Sequence, residues 1–359
     1  MKLLAQIIGV SSIAASVATA EEVKVFNWAE YIGPDTIANF EAETGIDVIY
    51  DTYESIETLE TRILAGGSGF DVVFAAGPTS QRFITAELLQ PLNLDMLSNH
   101  SNLNPEVLSR IEGFDPGAAH IVPYLWGTIG IGYNPAKLDE YLPGADPSDL
   151  ATLFDPENAE KLAECGVAMI DSPNEVLGIA LNYLGEDPYT TDTEVMAKAE
   201  ELITAIRPHI RYFDSIKPID DLATGEVCIG LIYSGDAGIA ALAAAEAENG
   251  VEVFYSIPQQ GTLVWVDSMA VLAGANNTEA AHTFINYMLR PEVGAEASNY
   301  LFYANANAAA TELVDPFITG DPNIYPTVEV QELLFAEQTL ANRAQRLRTR
   351  TWTRIKTGN

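Results

Sequence analysis

Short apolar runs alternate with longer amphipathic segments in the first part of the chain. The apolar or β-branched runs are about five residues long, which is typical of strands, and lie at residues 23–27, 46–50 and 70–74. Between them, residues 34–44 and 55–65 carry apolar side chains three or four positions apart, as in helices with one buried face. This repeated strand–helix–strand order predicts a parallel sheet covered by helices. A turn is expected at 66–69 and a loop at 75–78.

A second set of strands and helices is predicted beyond residue 120. Residues 121–124 and 127–134 are extended and apolar, and they are expected to connect two lobes. Further strands are predicted at 167–171, 227–233, 251–258 and 263–272, and further helices at 174–184, 193–206, 237–248 and 279–289. The mature chain of about 339 residues exceeds what one core usually supports. The predicted division gives the first lobe 21–126 plus 255–300 and the second lobe 127–254 plus 301–359.

The first 20 residues have the pattern of a secretory signal peptide. Lys2 gives a positive start, residues 3–17 are mostly apolar, and Ala18-Thr19-Ala20 is a small-residue cleavage site. Cleavage is expected after Ala20, where no cysteine stands to carry a lipid anchor. No later apolar run approaches the length that crosses a membrane. The mature protein is therefore expected to be periplasmic and soluble, without direct membrane insertion.

The mature chain is strongly acidic. Its 18 basic residues include Lys2, so export leaves 17 against 51 acidic residues and a net charge of −34. Such a surface repels nucleic acid and anionic membranes, so no nucleic-acid partner is expected. Adaptation to a saline habitat is one explanation of the excess, and attraction of a cationic ligand is the other.

The chain contains two cysteines, Cys165 and Cys228. In an oxidising compartment, such a pair predicts a structural disulfide rather than two free thiols. The four histidines are scattered without the spacing of metal ligands, so neither a metal nor another cofactor is expected.

Two aromatic residues and an acid directly follow the first predicted strand, namely Trp28, Glu30 and Tyr31. In open α/β sheets, ligands bind beyond the carboxyl ends of the strands. An aromatic face beside a carboxylate suits an organic cation, because the ring attracts the charge and the acid pairs with it. The alternative is structural, with core or rim aromatics beside a solvated loop acid.

Similar residues recur where other predicted elements end. They are Glu175, Tyr233, Asp236, Trp265, Asp267 and Tyr303. Trp265 and Asp267 lie two positions apart in an extended segment, so both side chains face one side. Each residue alone has a commoner structural explanation, and Asp236, for example, is also placed to cap a helix. Together with the residues after the first strand, they form a set of aromatics and carboxylates drawn from both lobes.

Several stretches resemble the polyamine-binding periplasmic proteins of ABC transporters, the putrescine/spermidine receptor family. The most specific stretches are residues 27–32, 47–53, 173–176, 181–185, 233–236 and 302–307. The two cysteines also match the putrescine branch. The resemblance implies the type II periplasmic-binding-protein fold, an α/β fold whose two parallel-rich sheets are flanked by helices and joined by crossing hinge strands. It also implies a monomeric binding protein, not an enzyme, that delivers its ligand to an inner-membrane ABC permease.

The resemblance further assigns roles to the candidate residues. Rings around the ligand would come from Trp28, Tyr31, Tyr233, Trp265 and Tyr303, and the acids that receive its ammonium groups would be Glu30, Glu175, Asp236 and Asp267. Some positions depart from the putrescine-binding pattern, since Ala29 replaces a hydroxyl residue, Tyr233 a Trp and Trp265 a Phe. Spermidine, putrescine, cadaverine, an acylated polyamine and another organic cation are therefore all candidate ligands.

Two other classes of function are open from the residues alone. An exported hydrolase would fit clustered carboxylates, but the chain lacks a Gly-x-Ser-x-Gly elbow, a His-Glu-x-x-His helix and a phosphate-binding loop. A binding protein for an anion or a sugar conflicts with the concentration of acids. The basic segment 342–356 is expected to be a helix or tail neutralised by the acidic body, and docking on a partner is the alternative.

Overall fold

The computed structural model describes residues 21–65 and 69–358. The predicted signal peptide and most of the predicted turn at 66–69 lie outside the described residues. The strands are β1 (Glu22–Trp28), β2 (Asp47–Tyr53), β3 (Val72–Ala76), β4 (Ile121–Tyr133), β5 (Val167–Met169), β6 (Ile210–Phe213), β7 (Ile229–Tyr233), β8 (Phe254–Ser256), β9 (Leu263–Val271), β10 (Ala304–Asn305) and β11 (Phe335–Ala336). The helices are α1 (Thr36–Thr44), α2 (Ile56–Leu64), α3 (Gly77–Thr85), α4 (Pro105–Ile111), α5 (Pro135–Tyr141), α6 (Ala151–Phe154), α7 (Pro156–Leu162), α8 (Pro173–Tyr183), α9 (Thr193–Ile206), α10 (Pro218–Thr224), α11 (Ser234–Ala247), α12 (Thr278–Met288), α13 (Pro291–Leu301), α14 (Pro316–Thr319), α15 (Val328–Gln331) and α16 (Asn342–Thr357).

The sheet follows the order β2-β1-β3-β9-β4-β7-β5-β6. At one end, β2, β1 and β3 are parallel to one another, and at the other end β6, β5 and β7 are parallel. The central strands differ, because β9 runs antiparallel to β3 and β4 runs antiparallel to both β9 and β7. The two parallel groups confirm the predicted strand–helix repeats, and the antiparallel centre joins them.

Strand β4 belongs to both halves of the sheet. Its first part pairs with β9 from Ile121 to Thr128, and its second part pairs with β7 from Ile129 to Tyr133. Twelve of its 13 residues are buried. The two predicted extended segments at 121–124 and 127–134 are therefore one continuous strand, with an irregularity in pairing just after Pro123 because proline cannot donate a ladder hydrogen bond.

The predicted loop at 75–78 is wrong. β3 continues to Ala76, and α3 begins at Gly77. Pro78 misled the prediction, because proline fits the first turn of a helix, where its missing N–H is not needed. The predicted helix at 34–44 is confirmed by α1, which ends where Gly45 adopts the left-handed conformation at φ 72°.

The C-terminal region contacts both halves of the molecule. β10 pairs with Leu125 and Trp126 of β4, whereas α16 packs against α8 and α9. The lobe boundaries given above stay a prediction. α16 is partly neutralised by the acidic body, since Arg354 pairs with Glu200 and Lys356 with Asp171. The exposed residues of this helix include three further arginines, at positions 343, 346 and 350.

The predicted disulfide is present. Cys165 and Cys228 are bonded, with Cα atoms 5.5 Å apart, and they close a loop of 63 positions. Cys165 precedes β5 and Cys228 precedes β7, and these two strands are neighbours in the sheet. The bond therefore ties together adjacent elements of one half. In the loop-closure model, a bridge of this span stabilises the folded chain by roughly 4 kcal/mol.

Candidate ligand site

Tyr303 and Asp236 form a hydrogen-bonded pair. The Tyr303 hydroxyl donates to Oδ1 of Asp236 at 2.6 Å. Tyr303 lies between α13 and β10, just after Phe302, which ends the helix with φ 57°. Asp236 lies in the first turn of α11 and does not cap it through its side chain. Two distant segments of the chain thus place a phenol and a carboxylate together.

A second pair of the same kind joins Tyr233 to Glu175. The Tyr233 hydroxyl donates to Oε2 of Glu175 at 2.7 Å. Tyr233 is the last residue of β7, and Glu175 lies in the first turn of α8. Like Asp236, Glu175 is therefore close to a helix N-terminus, where the free N–H groups favour negative charge.

The Trp265 ring lies between these two tyrosines. Its centroid is 5.0 Å from that of Tyr303 and 6.3 Å from that of Tyr233, and both contacts are edge-to-face. The Tyr31 ring extends the row, with its centroid 5.9 Å from that of Tyr303. Such edge-to-face contacts stabilise each ring in one orientation. The result is a continuous row of four rings that come from the segment after β1, from β9, from β7 and from the segment after α13.

Asp267 lies beside the Tyr31 end of this row. The carboxylate and the Tyr31 hydroxyl interact electrostatically, although that hydroxyl makes no hydrogen bond of normal geometry within the described part of the chain. Burial and the nearby Asp267 charge raise the pKa of Tyr31 well above its usual value. The hydroxyl therefore stays protonated and is a donor. Seven of the residues named so far form the aromatic–acidic cluster: Tyr31, Glu175, Tyr233, Asp236, Trp265, Asp267 and Tyr303.

Two glycines make room for the cluster. A Cβ at Gly127 of β4 would lie 2.7 Å from the Trp265 ring and 3.1 Å from the Tyr303 ring. A Cβ at Gly235 of α11 would lie 2.5 Å from both the Tyr303 ring and the Leu301 carbonyl oxygen. These distances are shorter than van der Waals contact, so only glycine lets β4 and α11 approach the rings this closely. Neither glycine is among the candidate site residues predicted from the sequence.

The three carboxylates of the cluster are costly to ionise. Burial raises the pKa of Asp236 to about 7 and that of Asp267 to about 7, and it also raises the pKa of Glu175. Within the part of the chain that the structure describes, none of the three forms an ion pair. Desolvated acids without a basic partner favour any cation that enters.

Trp28 and Glu30 lie outside the row of rings. The Trp28 ring packs on Tyr53 with centroids 4.4 Å apart, and burial followed by the charge of Asp267 raises the pKa of Tyr53. The Trp28 and Trp265 indole N–H groups are buried, and neither has an acceptor among the described residues. Glu30 is exposed, with φ 54°, and no described contact links it to the cluster. Its role in binding stays a prediction.

The chain matches the bacterial extracellular solute-binding protein family over residues 35–327. It belongs to this family. The putrescine-binding periplasmic protein SpuD of Pseudomonas aeruginosa is 45% identical over 345 residues, or 96% of this chain and 94% of SpuD. The putrescine-binding periplasmic protein PotF of Escherichia coli is 43% identical over 349 residues, or 97% of this chain and 94% of PotF. A solved structure of a putative spermidine/putrescine ABC transporter from Listeria monocytogenes has a TM-score of 0.83 at 31% identity, covering 94% of this chain and all of that chain.

These similarities confirm the family resemblance seen in the sequence. The chain has the predicted type II periplasmic-binding-protein fold, and it is a solute-binding protein rather than a hydrolase. The relatives SpuD and PotF are periplasmic proteins. In the part of the chain that is described, no helix has both the length and the apolar character to span a bilayer.

Proposed function

We propose that this chain is a periplasmic binding protein for a polyamine and that it delivers the ligand to an inner-membrane ABC permease. The signal peptide is removed after Ala20, and the mature protein acts as a monomer. The ligand, spermidine or putrescine, is enclosed between the two lobes given above. The names of the relatives support a polyamine as the ligand.

One observation carries this proposal: three carboxylates that form no ion pair with any described residue lie beside a row of aromatic rings. A polyamine has an apolar stem and charged ends, which matches rings along the middle and acids at the termini. An ammonium–carboxylate contact near 4 Å is of order 4 kcal/mol before desolvation at the effective dielectric near a protein surface. A ring face adds roughly 0.5–2 kcal/mol. The acids therefore set the charge of the ligand, and the rings set its shape.

The residues divide into three roles. The ring residues Trp28, Tyr31, Tyr233, Trp265 and Tyr303 line the stem of the ligand. Its ammonium groups bind Glu175, Asp236 and Asp267, and the exposed Glu30 attracts the ligand at the entrance. Since the acids come from both predicted lobes, a bound cation stabilises the enclosed form over an open one. Binding and the change of shape that the permease recognises are thus the same event.

Titration calorimetry of the purified mature protein tests this proposal. Putrescine, spermidine, cadaverine and acetylated spermidine are compared with 1,4-butanediol, which has the length of putrescine without its charges. We expect heat and a raised melting temperature with at least one amine and neither with the diol. If no amine produces heat or a melting shift at millimolar concentration, the protein does not bind polyamines.

Adding a monoamine and a quaternary ammonium compound to the panel tests whether another organic cation is the ligand. A monoamine or a quaternary ammonium compound that binds as tightly as the diamines would show that only one of the acids is used. An acetylated polyamine that binds best would show that one terminus of the ligand is held without a charge.

A further inference from the structure

Helix α16 carries three exposed arginines on one face. Arg343, Arg346 and Arg350 are three and four positions apart, so they lie within about 60° of one another around the helix axis. The buried residues of α16, such as Arg348 and Trp352, lie on the other side of the helix, which packs against α8 and α9. The three exposed arginines are called the arginine stripe below.

The acidic body of the protein does not neutralise the arginine stripe. Its three side chains form no ion pair and no hydrogen bond with any described residue, and among the described lysines and arginines this holds otherwise for Lys161 of α7. The acids that pair with α16 are Glu200 and Asp171, and they bind Arg354 and Lys356 near its C-terminal end. In a chain with 51 acidic and 18 basic residues, three neighbouring arginines without an acidic partner need an explanation.

The stability of α16 does not explain the arginine stripe. The helix has no acidic residue that could pair with these arginines along its own surface. Arg343 is its second residue and lies near the positive end of the helix dipole, where a cation is unfavourable. Arg350 lies four positions from both Arg346 and Arg354, and like charges at this spacing repel each other. The arrangement therefore destabilises the helix and indicates a partner outside the chain.

The chemistry of the arginine stripe fits a surface of phosphate groups. It extends for about 10 Å along the helix at 1.5 Å per residue, and a guanidinium group binds a phosphate through two parallel hydrogen bonds. The large apolar side chains that are exposed in the described part of the chain do not include any on α16. A specific protein interface usually has an aromatic or aliphatic centre, and insertion into a bilayer also needs apolar side chains. The face is therefore suited to electrostatic contact without insertion.

We propose that the arginine stripe binds the phosphate headgroups of an anionic phospholipid bilayer. The relatives SpuD and PotF are periplasmic, and the periplasm is bordered by phospholipid headgroups. Most other surfaces of the protein are acidic and are repelled, so the edge that carries α16 is the one that approaches the bilayer. Charges farther away than about 8 Å are largely screened at physiological ionic strength, so the remote acids do not cancel the contact. This contact goes beyond the proposed function and does not involve the polyamine site.

Co-sedimentation of the purified mature protein with lipid vesicles tests the proposal. Vesicles of phosphatidylcholine mixed with phosphatidylglycerol are compared with vesicles of phosphatidylcholine alone. We expect binding to the mixed vesicles only, and we expect this binding to weaken as the ionic strength rises.

The triple variant Arg343→Gln, Arg346→Gln, Arg350→Gln removes the arginine stripe. Each arginine near an anionic surface contributes roughly fivefold to the affinity, so the loss of all three should weaken binding by about a hundredfold. Replacing the same three residues with lysine should retain most of the affinity, because attraction to a bilayer depends on charge more than on the shape of the guanidinium group. Melting curves establish that both variants fold.

A second triple variant is the matched control for net charge. Arg62→Gln, Lys161→Gln and Lys198→Gln remove three exposed positive charges from α2, α7 and α9. Since these residues lie on different helices and outside the arginine stripe, binding to the mixed vesicles should stay within about threefold of wild type.

Three results would overturn the proposal. They are absence of binding to the mixed vesicles at low ionic strength, equal binding to both kinds of vesicle, and equal affinities of the two glutamine triple variants. Binding that requires the permease in phosphatidylcholine vesicles and is lost with the arginine stripe would also overturn it, because the partner would then be an acidic protein surface. Calorimetry separates this test from the proposed function, since the variant without the stripe should bind polyamines with wild-type affinity. A protein that binds the mixed vesicles but no amine would contradict the proposed function alone.

Discussion

At the scale of single residues, the site depends on acids that are placed where ionisation is difficult. Tyrosine hydroxyls and helix N-termini favour the ionised forms of Glu175 and Asp236, while burial opposes them. A ligand with two ammonium groups removes this conflict, because it supplies the missing positive charge. Cation binding is thus favoured in two ways. It removes the free-energy cost of burying unpaired carboxylates, and it forms direct contacts with them.

Replacing Asp236 with Asn tests that view. The amide keeps the size of the side chain but not its charge, so polyamine binding should weaken by roughly 2–5 kcal/mol if the pair is desolvated. Glu30→Gln is the matched control, because Glu30 is exposed and should change the affinity by less than about 1 kcal/mol. Calorimetry measures both. Similar losses in the two variants would mean that the exposed Glu30 contributes as much to binding as Asp236. Burial would then not explain the contribution of Asp236.

Some site residues were predictable from the sequence and others were not. Trp265 and Asp267 share a face because strand side chains alternate, which is a local rule that the sequence displays. The carboxyl group of Glu337 interacts electrostatically with Glu175 and Asp267 of the cluster, yet this residue lies in a polar stretch that looks like a surface segment. Only the pairing of β11 with β9, between residues more than 70 positions apart, brings it near the site.

At the scale of elements, the close approach of α11 to the segment after α13 depends on Gly235. In Gly235→Ala, the added methyl group meets the Tyr303 ring and the Leu301 carbonyl oxygen, so overpacking should destabilise the protein by roughly 1–3 kcal/mol. Gly178→Ala is the helical control, because its nearest neighbouring atom is 3.7 Å away. There the better helix propensity of alanine should stabilise by up to about 1 kcal/mol. Urea unfolding distinguishes the two outcomes, and equal effects would exclude the steric explanation.

The docking of α16 depends on Arg348. Its guanidinium is buried, donates to the carbonyl oxygens of Asn174 and Pro188, and has a pKa that burial lowers to about 10. Arg348→Ala leaves these oxygens unpaired, so the free energy of unfolding should fall by about 1–3 kcal/mol or more. Arg350→Ala on the exposed face should stay within about 0.5 kcal/mol. Thermal unfolding that gives the same melting temperature for both variants would contradict this role.

Element prediction succeeded where periodicity is local. The strand–helix repeats from β1 to β3 appear in the sequence because apolar residues recur at the spacing of a strand or a helix, as in β1 and α2. The antiparallel insertion of β9 between β3 and β4 could not be predicted, since strand partners are chosen by long-range packing. The predicted break at residues 125–126 is also absent, because β4 continues through Leu125 and Trp126 although its pairing with β9 is irregular between Pro123 and Trp126.

At the scale of the whole molecule, the raised pKa values predict that pH changes the shape of the ligand-free protein. Burial in this structure raises the pKa values of Asp236 and Asp267 to about 7, whereas a solvated Asp titrates near pH ~3.9. Between these values the enclosed form binds more protons than an open form. Low pH therefore favours enclosure, and this stabilisation is lost as the pH rises through about 7.

Small-angle X-ray scattering without ligand measures this effect. We expect a smaller radius of gyration at about pH 5.5 than at about pH 8, since each proton contributes about 1.4 kcal/mol per pH unit. The double variant Asp236→Asn with Asp267→Asn should show the same radius at both pH values. A wild-type radius that does not change with pH would indicate that the two acids do not oppose enclosure.

The sharing of β4 between both halves of the sheet has a consequence for any attempt to divide the protein. A polypeptide that contains only one half of the sheet but all of β4 would leave part of this strand without the neighbouring strand that pairs with it. That part is apolar and is buried in the intact protein. Exposed apolar strands with free backbone groups recruit other chains and aggregate. The two halves should therefore fail as separately expressed fragments, and reporter proteins inserted for biosensing belong in surface loops away from Ile121–Tyr133.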